Sequence, residues 1–249
     1  MGDIRKILAL DVSTHAVGVT LASWDGENEP MIHEVTHWRP KIPTKLKGTE
    51  ALFMKSKIIA ENIARYKEVG ITDVVIEEPL IGSNNANTAA TLLRFNGMIS
   101  QSVYTILGVV PAYISSHDAR KYGCPTLMAI RKFNKAGNVY EMKKLKKAMK
   151  DSDFVLFGAY PFDCEKKYIL WNMMAEKYPK IEWVYDKNGD LKKENFDASD
   201  SLVTVLGYIG MIRYGGTEPV MEKYEEKDNS LVYSYTFCGQ KFEKSIILT

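Results

Sequence analysis

The sequence of 249 residues has no apolar run of 18 residues and only three cysteines. Without such a run, a membrane-spanning helix is not expected. The apolar stretch near the N-terminus is short and is interrupted by Asp11, which argues against a secretory signal. Cys124, Cys164 and Cys238 are scattered without CxxC spacing, so a disulfide framework or a zinc site is not expected. We therefore expect a cytoplasmic protein.

Positive and negative charges nearly balance over the whole chain, but one segment is strongly basic. The formal net charge is only +2, yet residues 131 to 150 contain eight Lys or Arg and a single acid, Glu141. Charge runs of this kind usually form a solvated helix face. A surface for nucleic-acid phosphates is the other interpretation. Composition alone leaves both open.

Hydrophobic periodicity predicts an α/β fold. Three strands, at 6–14, 17–24 and 31–38, follow one another with short links and indicate an antiparallel meander. A helix over 49–68 leads to a buried strand at 74–78, which implies a crossover and a parallel neighbour. Further predicted elements are a helix over 88–107, a strand at 112–115, a helical turn at 117–123, helices over 165–177 and 196–214, and a C-terminal β-hairpin at 231–237 and 241–248.

Four acids occupy positions where apolar neighbours would ordinarily exclude them. Asp11 interrupts a strand, Glu77 ends one, and Asp197 and Asp200 open an apolar helix on one face. A buried carboxylate needs a partner, and a cluster of oxygen ligands favours a hard ion such as Mg²⁺. Each acid also has an ordinary explanation as a turn residue, a solvated strand end, a helix N-cap or a charge that complements the helix dipole.

Three motifs in order resemble the RuvC-type Holliday junction resolvases of the RNase H-like superfamily. They are 8-LALDVSTHAVGVTL-21, 75-VIEEPL-80 and 197-DASDSLVTVLGY-208, and the resemblance covers roughly residues 6–123 and 163–212. It implies an RNase H-like mixed five-stranded sheet flanked by helices. The inserted basic segment at about 124–160 and the tail after about 213 lie outside the resemblance. The chain departs from the family in having Asp11-Val12-Ser13 where bacterial members often have Asp-Pro-Gly. Its extra segments are more similar to bacteriophage-encoded relatives.

The resemblance implies a metal-dependent endonuclease that resolves four-way DNA junctions by paired nicks with 5′-phosphates. Asp11, Glu77, Asp197 and Asp200 would hold two Mg²⁺ ions, for which Mn²⁺ could substitute, with Asp11 bridging them. Strand alternation turns Glu78 to the opposite side, so it is either a bystander or a residue that supports the metal ligands without binding the ions. The family's lysine before the last motif corresponds best to Lys166, with Lys167 as its neighbour.

DNA contacts and a partner subunit follow from the same resemblance. The candidate DNA-binding residues are Arg120, Lys121, Lys143, Lys144, Lys146 and Lys147. Paired nicks in a two-fold symmetric junction call for a C2 homodimer. The expected domains are a nuclease domain over 1–214, with an insertion at about 124–160, and a C-terminal extension over 215–249.

Three other functions are weighed against the resolvase. A nuclease of the same fold could cut flaps, other branched DNA or RNA–DNA hybrids. An actin-like ATPase or sugar kinase shares an Asp on its first strand, but its second, glycine-rich phosphate loop is not found late in this sequence. A non-catalytic DNA-binding module is disfavoured because all four acids are present.

Overall fold

The protein was analysed as a computed structural model that describes residues 3–79, 86–127, 166–227 and 230–247. At its centre lies a five-stranded mixed sheet with the strand order β3-β2-β1-β4-β5. The strands are β1 (Arg5–Val12), β2 (Val17–Trp24), β3 (Met31–Trp38), β4 (Asp73–Glu77) and β5 (Ala112–Ile114). The first three form an antiparallel meander, and β4 and β5 continue the sheet parallel to β1. The predicted sheet is confirmed.

Helices cover both faces of this sheet. They are α1 (Gly48–Ile63), α2 (Ala86–Leu107), α3 (Ser116–Gly123), α4 (Lys166–Lys177) and α5 (Glu194–Tyr214). One face packs against α1 and α2 in one hydrophobic cluster, and the other packs against α3, α4 and α5 in a second cluster. None of the helices in the described ranges combines the length and apolarity needed to cross a bilayer.

Strand alternation decides which residues of β1 face which helices. Ile7 and Ala9 belong to the cluster beneath α5, whereas Leu8 and Leu10 belong to the cluster beneath α1 and α2. Since successive side chains point to opposite faces, a strand buried on both faces is apolar throughout rather than alternating. The same rule assigns the next odd-numbered residue, Asp11, to the α5 face.

The helix α5 lies unusually close to its neighbours because small residues line the contacts. A Cβ atom on Gly207 would lie 2.4 Å from the Cα atom of Ala119 in α3, and one on Gly123 would lie 2.8 Å from the Gly207 nitrogen. Real Cβ contacts are never this short, so these positions admit only glycine without a shift of the backbone. The close packing fixes α3 directly against α5.

The C-terminal residues form a second sheet with the order β6-β7-β8. Its strands are β6 (Val220–Lys227), β7 (Ser230–Phe237) and β8 (Gln240–Ile247). The predicted hairpin corresponds to β7 and β8, whose turn places Cys238 and Gly239 at positive φ angles of 50° and 71°. The strand β6 was not predicted, because its segment is rich in charge and lacks an apolar alternation.

The C-terminal sheet contacts the main body through α3. The rings of Tyr122 and Phe237 lie 5.7 Å apart, and the Lys121 ammonium lies 3.2 Å from a Glu218 carboxylate oxygen. The boundary between the two predicted domains stays a prediction. Most of the predicted insertion at 124–160 lies outside the described residues.

Candidate active site

Two of the four acids meet at one edge of the sheet. Asp11 is the next-to-last residue of β1, and Glu77 ends β4 one residue beyond the aligned pair Leu10–Ile76. Parallel strands deliver their carboxyl ends to the same edge, so the two acids become neighbours. Both lie on the α5 face, because Ala9 and Val75, two residues earlier in each strand, belong to the cluster beneath that helix.

The other two acids come from the start of α5, which rests on β2. Asp11 pairs with Gly18 across the β1–β2 ladder, and a Cβ atom on Gly18 would lie only 1.8 Å from the carbonyl oxygen of Asp197. The first turn of α5 therefore occupies the space that any other side chain at Gly18 would need. A buried hydrogen bond of 2.8 Å between the hydroxyls of Thr20 and Ser201 holds the helix in this position.

The four carboxylates interact electrostatically with one another. Burial raises the pKa of Asp11 well above its usual range, and the charges of Glu77, Asp200 and Asp197 raise it further. Burial, followed by the charge of Asp200, raises the pKa of Glu77 to about 7. Burial raises the pKa of Asp200 to about 6, with Asp197 adding to it, and burial also raises the pKa of Asp197. The cluster is therefore short of positive charge.

Two cationic side chains partly offset this repulsion. The Lys167 ammonium, near the start of α4, lowers the pKa of Asp11, Asp197 and Asp200, although burial outweighs it in each case. The Arg120 guanidinium of α3 acts in the same way on Glu77 and Asp200. Positive charge thus flanks the acids from two different helices.

A third flank is formed by the end of β3. His37 pairs with Gly18, so Asp11, Gly18 and His37 lie in one row across three strands. Burial lowers the pKa of His37, although the charges of Glu194 and Asp197 act in the opposite direction. Because Gly18 has no side chain, the first turn of α5 lies between Asp11 and His37 in this row.

Comparison with known proteins identifies the fold. No family model and no curated protein matches the sequence. Among solved structures, RuvC of Thermus thermophilus matches with a TM-score of 0.50 and 11% identity over 85% of this chain and 96% of that chain. The fold is RNase H-like. RuvC of the same organism in complex with a Holliday junction substrate gives the same TM-score and identity, over 83% and 96% of the two chains.

A further similar structure is the yeast mitochondrial Holliday junction resolvase. It has a TM-score of 0.43 and 12% identity, over 82% of this chain and 78% of that chain. That overlap is too loose to support an argument. At 11% identity the match to RuvC establishes the RNase H-like fold alone.

The donor chemistry of the four acids fits a hard divalent cation. All four side chains offer carboxylate oxygens, which Mg²⁺ and Mn²⁺ prefer. Burial first, and then the neighbouring acids, raise the pKa values of the four carboxyl groups, and a bound cation would offset both effects. No group of three or more His, Cys, Asp or Glu side chains in the described ranges is close enough to enclose a metal ion as it stands. A bound cation would have to draw the carboxylates together.

The other predicted site residues fall into two groups. Lys166 begins α4, but its side chain lies outside the description, as do Lys143, Lys144, Lys146 and Lys147. Those assignments stay predictions. Arg120 and Lys121 are described on α3, and the Lys121 side chain is only 11% exposed, with its ammonium 5.6 Å from the centroid of the Phe237 ring.

Sequence reasoning missed three residues that shape this RNase H-like site. Lys167 was considered only as the neighbour of Lys166, and Arg120 only as a DNA contact rather than as a partner of the acids. His37 was seen only as part of an alternating strand. Its signal was available, since it follows the apolar Val35 by two residues and so faces the same side of the sheet.

Proposed function

We propose that this protein is a structure-selective, metal-dependent endonuclease that resolves four-way DNA junctions. The observation that carries the proposal is the cluster of four mutually repelling carboxylates at one edge of an RNase H-like sheet. Negative charges gathered in this way raise the free energy of the folded protein unless a cation binds there. The fold similarity to RuvC, which is known in complex with a Holliday junction substrate, supports the choice of substrate.

Asp11, Glu77, Asp197 and Asp200 would hold two divalent cations, Mg²⁺ or Mn²⁺. Bound there, such ions would activate a water molecule and stabilise the leaving 3′-oxygen. Asp11 interacts with each of the other three acids, which favours it as the residue shared between the two ions. Hydrolysis would leave a 5′-phosphate at each nick.

The cationic flanks would act on the phosphate itself. Lys167 and Arg120 approach the acids from α4 and α3, and both helices pack against α5. A charged donor aimed at a phosphate oxygen stabilises the additional negative charge of the transition state. Lys167 is therefore our first candidate for this role, and Lys166 the second.

Resolution of a four-way junction requires two such sites in one assembly. A C2 homodimer provides two equivalent sites related by the symmetry of the junction. The long helix α2 is the proposed interface, because it carries Leu93 and Tyr104 with exposures of 45% and 53%. The two residues are eleven positions apart, about three helical turns, so both side chains lie on one face of α2.

The decisive test is cleavage of an end-labelled synthetic four-way junction in Mg²⁺ or Mn²⁺ by wild-type protein and by Asp11→Asn. We expect symmetric, metal-dependent nicks from the wild type, and retained binding without cleavage from the variant. A flap and an RNA–DNA hybrid, assayed in parallel, test the broader nuclease alternative. Cutting of those substrates but not of the junction would change the proposed substrate, and a folded wild type that cuts none would refute the nuclease.

A further inference from the structure

A small recess opens beside the acids on the side of Asp197. Its volume is about 280 Å³, and it is lined by His15, Ala16, Arg39, Lys193, Glu194 and Asp197. These residues come from three separate parts of the chain: the β1–β2 turn, the segment after β3, and the start of α5. The recess shares Asp197 with the proposed catalytic cluster, so a ligand bound in it would lie next to the reacting group.

Arginine, lysine and histidine side chains lie at the rim of the recess. The Arg39 side chain is 57% exposed, and its guanidinium donates a hydrogen bond to Glu194. A guanidinium has five N–H donors, so those not bonded to Glu194 remain for a second acceptor. Lys193 and His15 are also exposed. Glu194 and Asp197 offset the charges of Arg39 and Lys193 in the metal-free protein, and Glu194 also holds Arg39 at the recess. Cations bound at the proposed catalytic cluster would take up the charge of Asp197 and leave the recess with a net positive charge.

Lys193 occupies a position where a lysine does not favour the helix. It is the N-cap residue of α5 and makes no side-chain capping bond. Its backbone is already helical, with φ −59° and ψ −26°, and positive charge near a helix N-terminus interacts unfavourably with the helix dipole. A residue that breaks a local rule of this kind indicates a function that compensates for it.

We propose that this recess binds a backbone phosphate of the DNA strand, next to the phosphate that is cleaved. The inference rests on the proposed nuclease function, since it takes the acids as the position of the cleaved phosphate. A strand that passes Asp197 then brings its adjacent phosphate to Arg39 and Lys193. Phosphate contacts of this kind fix the register of a strand without reading its sequence.

The first test is the salt dependence of junction binding, measured in EDTA so that no cleavage occurs. Each phosphate contact contributes about 0.9 to the slope of log K against log salt concentration on duplex DNA. We expect Lys193→Gln and Arg39→Gln each to lower this slope by about that amount, and Lys193→Arg to restore it. Lys67→Gln removes the same charge from an exposed site just before β4, at the opposite end of the sheet, and should leave the slope unchanged.

The second test locates the contact on the DNA. One phosphate beside the cleaved bond is replaced by an uncharged methylphosphonate, at one position in each of a set of junctions. The wild type should cut the junction that lacks the recess-bound phosphate several-fold more slowly than the others. Lys193→Gln should show no additional loss on that junction, because two changes that remove one contact are not additive. Additive losses at every position, or unchanged salt slopes, would overturn the subsite.

The two proposals fail in different ways. If the wild type cuts no DNA, but Lys193→Gln lowers the salt slope of junction binding, the nuclease proposal is refuted and the phosphate-binding recess is supported. If the wild type cuts junctions, but Lys193→Gln and Arg39→Gln bind them with the same salt slope as the wild type, the nuclease proposal is supported and the phosphate-binding recess is refuted.

Discussion

The paired strands β1 and β4 have acids at both ends of their shared ladder, and the surroundings of the two ends differ. At the start of β4, Asp73 accepts hydrogen bonds from the Arg5 Nε (3.0 Å), the Thr72 hydroxyl (2.7 Å) and the Tyr208 hydroxyl (3.0 Å). Burial alone would raise the pKa of Asp73, but these partners outweigh it and lower the pKa. The protein itself neutralises this acid.

At the other end of the same strands, the acids are not neutralised in this way. Within the described ranges, neither Asp11 nor Glu77 accepts a hydrogen bond from another side chain, and burial raises the pKa of both. This difference distinguishes Asp73, which stabilises the fold, from Asp11 and Glu77, which are candidates to bind a ligand. Buried charge with its partners present indicates structure, and buried charge without them indicates a candidate binding site.

The largest expected effect distinguishes the two consecutive glutamates at the end of β4. Glu77→Gln should lower the junction cleavage rate about 10²- to 10³-fold, as loss of one electrostatic group at a reacting centre does. Glu78→Gln should cut at nearly the wild-type rate, because Glu78 is exposed and lies on the other side of the strand. Single-turnover cleavage measures both, and equal losses would show that the site is wrongly assigned.

The next effect tests how the acid-rich end is assembled. Gly18→Ala should destabilise the protein by about 1–3 kcal/mol and slow cleavage, though by less than Glu77→Gln does, because its Cβ atom displaces the first turn of α5. Gly97→Ala is the control for stability only, since no atom of the same subunit lies within 4 Å of its Cβ position, and it should stabilise by about 0.5–1 kcal/mol. Its cleavage rate is not compared, because Gly97 lies on α2, the proposed dimer interface. Urea unfolding gives both values, and a neutral Gly18→Ala would refute the close approach.

The two ends should respond to charge removal with opposite signs. Asp73→Asn should lower the free energy of unfolding by about 1.5–3 kcal/mol, because hydrogen bonds to a charged acceptor are lost. Asp11→Asn should raise it in metal-free protein by roughly 1 kcal/mol, because a half-buried carboxylate that other acids repel is removed. If both variants destabilise the protein in EDTA, the proposed difference between the two ends of the strands is wrong.

The smallest expected effect is the pH dependence contributed by Asp73. Its pKa is lower in the folded protein than in the unfolded chain. Its stabilising contribution is therefore fully present above the unfolded pKa of about 3.9 and is lost as the pH falls through the lower folded value. Urea unfolding between pH 5 and pH 2.5 should show a shallower loss in Asp73→Asn than in wild type, and identical slopes would contradict the assignment.

Much of this architecture could be predicted because it follows from local patterns. The apolar run before Glu77 and the acids at the start of α5 are visible in the sequence, and strand alternation gives the face of each acid. The meander β1–β3 follows from strands joined by short links. The helices α2 and α5 follow from long periodic segments bounded by glycine and polar residues.

The missing parts depend on contacts between distant residues. The closeness of Arg120 and Glu77 results from the packing of α3 on α5 through Gly207, which no local pattern shows. The role of Gly18 depends on a helix 179 positions later in the chain, at Asp197. The strand β6 forms because β7 supplies its hydrogen-bonding partner, so its own charged sequence gives little indication of a strand.

The helix α5 joins the two ends that the comparison separates. Near its start, Asp200 belongs to the acid cluster and Ser201 forms a hydrogen bond with Thr20 of β2. Further along, Gly207 packs against α3 and the Tyr208 hydroxyl donates a hydrogen bond to Asp73. Inserting one residue within this span would turn everything beyond it by about 100°. No rotation of the helix could then satisfy both ends. We infer that this segment can diverge through substitution but not through insertion or deletion, so its length should vary less among relatives than that of any loop.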